Sequence, residues 1–151
     1  MKKLLSCLFV FISLSSSIYA NEMIDVINTF RADKFALRRT YNIRESKEYY
    51  ERYNQFYTAW ETKLKDIDFN GLSKDGKADY VLLRNLIEKE EYLLNQDYDA
   101  FKEVASVVDF ADNLYSFIQQ RRRGNQPDAK ALAMTFNDAE KEISEKIKAL
   151  K

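Results

Sequence analysis

Tyr49, Tyr53, Phe56, Trp60, Leu64 and Ile67 follow one another at steps of four, three, four, four and three residues. That spacing places six large apolar side chains on one face of an α-helix, and no strand can present them together. Glu51, Arg52, Asn54, Glu61, Lys63 and Lys65 fall between them as the wet side. Ser46 stands where an N-cap is needed, because its hydroxyl can accept a hydrogen bond from a free amide of the first turn. A helix this amphipathic must bury its stripe against other elements.

The other elements read the same way. Met23, Ile24, Val26, Ile27, Phe30, Phe35 and Leu37 predict a first helix that breaks over Arg38–Asn42. Asp68–Gly76 is rich in turn residues and predicts a loop. A third helix is expected from about Asp75 or Lys77, carrying Tyr80 to Leu83, Leu86, Ile87 and Tyr92 to Leu94. Its apolar surface is wide enough to predict neighbours on both sides. Asp97–Asp99 is a candidate break before a fourth segment, Phe101 to Ile118. Arg121–Arg123 and Gly124 close that segment, since cations and glycine suit a helix C-terminus. Pro127 suits the first turn of a last helix, whose stripe is Leu132, Phe136, Ile143, Ile147 and Leu150. With only 3 Gly and 1 Pro, the expected fold is all-α, a bundle of four to five long helices. Trp60, in mid-stripe, is expected to be buried against the third helix near Leu82, Leu83 or Leu86.

Residues 1–20 differ in kind. Lys2-Lys3, the apolar run Leu4 to Leu14 and a small-residue end at Ala20 have the order of a secretory signal peptide. The apolar run is short for a membrane span, which needs roughly 20 residues. The expectation is cleavage before Asn21, an exported, periplasmic or cell-envelope location, a helical domain over 21–151 and no transmembrane segment after cleavage. Leu4-Leu5-Ser6-Cys7 resembles a lipoprotein box but leaves almost no apolar run before Cys7, so lipid anchoring is the weaker alternative.

The chain has 24 basic and 24 acidic residues, and the leader's only charges are Lys2 and Lys3. A near-neutral domain has no electrostatic case for nucleic acid. There is no His, and the one Cys is Cys7. Zinc sites, Ser-His-Asp triads and Cys-His pairs therefore have no ligands or bases within residues 21–151. No catalytic, cofactor-binding or metal-ligating residue is assigned, and no cofactor is expected. Glu88, Glu90 and Glu91 read as a solvated helix face. Tyr50 and Tyr57 lie beside the stripe, seven residues apart, and are the side chains freest to line a groove. The Arg121–Arg123 run could grip an anion, although its place at a helix end explains it already.

Phe56, Trp60, Leu64, Ile67-Asp68, Gly71-Leu72-Ser73, the run Ala78–Arg84 and Glu88 form a longer pattern: a Trp helix, an Ile-Asp, a Leu-Ser turn, then an Asp-Tyr-x-Leu-Leu helix. This pattern resembles the N-terminal region of the bacterial domain-of-unknown-function family numbered 885. The resemblance implies the helical front of a longer exported protein of a zinc-metallopeptidase-like kind. Its His-Glu-x-x-His helix would lie far toward the C-terminus. No family catalytic residue can be carried over to a chain without His. The apolar pattern is still running at Leu150-Lys151, which suits the front part of something longer or a helix that frays. Two readings stay open: a non-catalytic N-terminal portion whose partner is the remainder of a longer chain, or a complete small periplasmic helical-bundle binding or adaptor protein with an unknown peptide ligand.

Overall fold

A computed structural model describes residues 21–149. Residues 1–20, which hold the expected signal peptide and Cys7, and Leu150-Lys151 lie outside the described residues. The fold is all-α, with α1 over Met23–Thr40, α2 over Lys47–Lys65, α3 over Lys74–Val108, α4 over Ala111–Arg122 and α5 over Ala129–Ala149. A single 3-10 turn, Phe69–Gly71, lies between α2 and α3. No strand occurs among the described residues.

Three helices make the core, and their directions follow from the bonds between them. Asn21 Nδ2 donates to Asp79 Oδ2 at 2.6 Å, and Lys34 Nζ lies 2.5 Å from Glu90 Oε2, so α1 runs parallel to α3. Tyr57 reaches Glu90 while Tyr50 reaches Asp97, so α2 runs the opposite way between them. Met23 and Phe30 from α1, the tyrosines and Trp60 from α2, and Leu83, Ile87 and Leu94 from α3 form one buried cluster. The Trp60 ring meets Phe30 edge-on with centroids 5.3 Å apart.

The caps explain why the helices start where they do. Ser46 Oγ accepts from the Tyr49 amide at 3.2 Å, as its position predicts. Ser73 Oγ accepts from the Gly76 amide at 3.1 Å and donates to Glu22 Oε2 at 2.9 Å, which ties the start of α3 to the start of α1. Gly76 permits that closeness, because a Cβ there would lie 2.6 Å from Glu22 Oε2. Gly124, at φ +82°, ends α4. Its amide donates to the Arg121 carbonyl and the Asn125 amide to the Gln120 carbonyl, the paired bonds of a Schellman motif.

Three expectations are corrected. The third helix does not break at Asp97–Asp99. Both carboxylates point outward, to Arg44 and Lys102, and nothing between Lys77 and Val108 interrupts the backbone ladder. The interruption comes at Asp109-Phe110. Pro127 precedes the first turn of α5 and does not lie in it, because Asp128 is the cap and accepts from the Ala131 amide at 2.7 Å. The wide apolar surface of α3 is covered on one side only. Leu83, Ile87 and Leu94 face α1 and α2, while Leu82, Leu86, Tyr92 and Leu93 are exposed. Successive residues turn by about 100°, so a single neighbouring layer cannot cover both rows. Trp60 is buried as expected and shares its core with Leu83, one of the three residues named beside it, while Leu82 and Leu86 are exposed.

Candidate functional site

A groove between α1 and α3 forms a cleft of about 1540 Å³ that opens to solvent. Parallel helices make its walls. α2 supplies the floor with Tyr49, Tyr53 and Tyr57, one turn apart on the same face. The C-terminal end of α4 closes one end with Gln119, Arg122 and Arg123. That end is held by bonds to the core: Arg122 Nη1 donates to Asn42 Oδ1, and Gln119 Nε2 donates to Glu48 Oε2.

The cleft is cationic in a chain of balanced charge. Seven of its lining side chains are Lys or Arg and two are carboxylates, Glu90 and Asp97. Both carboxylates are already engaged. Glu90 receives Lys34 and also the Tyr57 hydroxyl at 2.7 Å. Asp97 pairs with Arg44 at 3.0 Å. Arg38, Arg39, Lys89 and Arg122 have no carboxylate partner among the described residues.

Burial and hydrogen bonding set the protonation of the floor. Burial pushes the Glu90 carboxyl up, but the bonds from Lys34 and Tyr57 and the Lys34 charge outweigh it, so its pKa is lowered. Burial first, then the bond to Glu90, raises the Tyr57 phenol well above its ordinary value. Burial, with Tyr49 beside it, pushes Tyr53 up to about 12. The floor therefore sets two neutral phenols, Tyr53 and Tyr57, beside one carboxylate that pairs with Lys34.

The residues singled out from sequence are placed as follows. Tyr50 and Tyr57 are both buried in the core and are not free side chains beside it. α2 is flanked by α1 and α3, so its buried face is wider than a single stripe. Tyr57 still reaches the cleft from below, through its hydroxyl. Tyr50 does not line it, and packs on Tyr98 and Phe101 with its hydroxyl at the Asp97 carbonyl. Glu88, Glu90 and Glu91 do not share one solvated face. Glu88 pairs with Arg84 at 3.4 Å. Glu91 stands by Glu61, and burial with that neighbour raises its pKa. Glu90 turns inward to the cleft floor.

From sequence, the cations of the cleft read chiefly as helix ends. Arg38-Arg39 reads as a helix end and Arg121–Arg123 as another. Both are helix ends, and the fold brings those two ends to one cleft. The one local signal was Asn42, whose amide oxygen holds Arg122.

Among the described residues, no group of three or more carboxylates, His or Cys is placed to hold a metal ion, and no helix is long and apolar enough to cross a membrane. In comparisons with known proteins, no family model, no curated protein and no solved structure matches this chain.

Proposed function

We propose that this chain is a non-catalytic helical binding module of an exported protein, and that its cleft receives an anionic ligand. The observation that carries the reading is the charge of the cleft: seven cations against two carboxylates, both already paired. Cations left without carboxylate partners around a concave site attract anions, and low-dielectric walls concentrate that field. Arg38, Arg39 and Arg122 also present planar guanidinium groups, which suit carboxylate or phosphate oxygens. The absence of His, and of any Cys but Cys7, supports a binding role over a hydrolytic one.

Titrating the full chain with polyglutamate tests the reading. Binding is expected at low salt, weakening steeply as salt rises. Reversing Arg38 and Arg122 together to Glu is expected to abolish it. Binding that ignores both salt and these substitutions would contradict the reading, and so would no binding at low salt.

A second reading follows from the resemblance: the module is the front scaffold of a longer metallopeptidase-like protein. The exposed apolar residues Leu82 and Tyr92 on α3, and Phe136 and Ile147 on α5, favour it, because they suit burial against further structure. Sequencing the source DNA beyond Lys151 tests it. An in-frame continuation carrying a His-Glu-x-x-His motif is the expected result, and a stop codon directly after Lys151 would remove this reading.

A further inference from the structure

We infer that the occupant of the cleft is an acidic amphipathic α-helix of a partner polypeptide, which completes a four-helix arrangement with α1, α2 and α3. This rests on the anion-binding reading above and specifies the chemistry of the ligand.

The shape argues for a helix. Two parallel helices with a third beneath them leave a long groove, and a helix lies in such a groove at an interaxial distance of about 8–10 Å. A helix of about 10 Å diameter and about 20 Å length, some 13 residues, occupies roughly the volume of the cleft. The cleft is larger than the sites that enclose small molecules, which hold about 300–1,000 Å³.

The lining argues for an amphipathic one. Leu86 and Leu93 stand on the α3 wall, 41% and 45% exposed, and Phe35 stands on the α1 wall at 62%. The two leucines are seven residues apart, the repeat that receives the apolar seam of a facing helix. Lys89 lies between them in sequence, and Arg38 and Arg122 line the same cleft. Apolar seam residues flanked by cations are complementary to a helix with an apolar seam flanked by Asp or Glu. A polyanion with no apolar surface would leave Leu86, Leu93 and Phe35 wet. A lipid tail would need an enclosed apolar cavity, whereas this groove is open and its floor carries Glu90.

The test uses the full chain and four probes: a three-heptad peptide with Leu at the seam and Glu flanking it, the same composition with the Leu positions scrambled, the same seam flanked by Lys, and inorganic polyphosphate. The first peptide is expected to bind and to gain helicity on binding. Scrambling it is expected to weaken binding by about tenfold or more, and the Lys version is expected not to bind. Leu86→Ser with Leu93→Ser is expected to cost the acidic helix about tenfold and to leave polyphosphate binding unchanged. Both leucines are already exposed, so circular dichroism should show an unaltered fold. If polyphosphate or the scrambled peptide binds as tightly as the acidic helix, and the double Leu variant changes nothing, this inference is overturned while the anion-binding reading stands. If no anionic probe binds, both fall.

Discussion

Tyr57 shows how one side chain can serve core and cleft at once. Its ring fills the centre of the bundle, and its hydroxyl crosses to Glu90 at the groove floor. The arrangement has a pH signature. The phenols of Tyr53 and Tyr57 are raised by folding, so their contribution to stability is full below the unfolded value near 10 and is lost as pH rises through the folded value, about 12 for Tyr53. Phenolate absorbance during an alkaline titration should show Tyr53 and Tyr57 among the tyrosines that ionise late, together with unfolding. Tyr57→Phe should remove one of them. All tyrosines ionising near pH 10 in the folded chain would refute the placement. Glu90 acts in the opposite direction. Its lowered carboxyl contributes at neutral pH, and that contribution fades as pH falls below the ordinary carboxylate range. Trp60, closed in by Phe30 and Phe56, is a plain core residue. Trp60→Ala should cost about 3–5 kcal/mol in denaturant unfolding, as large core truncations do. A loss well under 1 kcal/mol would mean that the ring is not packed as described.

At the scale of elements, the caps determine where helices begin, and Ser46 is the clearest case. It is buried, accepts from the Tyr49 amide and donates to the Ile43 carbonyl at 2.7 Å. Ser46→Ala should destabilise the chain by about 1–2 kcal/mol, read as a lower denaturant midpoint with an unchanged slope. An unchanged midpoint would show that the cap contributes nothing. Such caps were legible because they are local: Ser46 and Gly124 act on residues within one turn. The path of α3 was not. Asp97 and Asp99 look like a break in isolation, yet their partners are Arg44, fifty-three residues away, and Lys102. A helix continues through acidic residues when they find cations, here Lys102 one turn along α3 and Arg44 outside it. Likewise the period of α3 revealed two apolar rows but not which one the bundle would cover. That depends on the direction in which α1 and α2 approach.

At the scale of the whole molecule, the proposed function rests on a feature that no stretch of sequence contains. A chain with equal numbers of acidic and basic residues has no global field, yet folding gathers cations from α1, the loop after it, α3 and the end of α4 around one groove. Composition gives the overall charge balance and is silent about a local patch. The tyrosine face of α2 was legible, whereas its division into core and groove floor needed both flanking helices. The central claim is that an anionic ligand occupies this groove and no other face. Amide hydrogen exchange of the full chain, with and without saturating polyglutamate at low salt, tests it most directly. The account predicts added protection over residues 34–44, 86–97 and 119–123, with α5 unchanged. Protection confined to α5, or none anywhere while the ligand is bound, would contradict it.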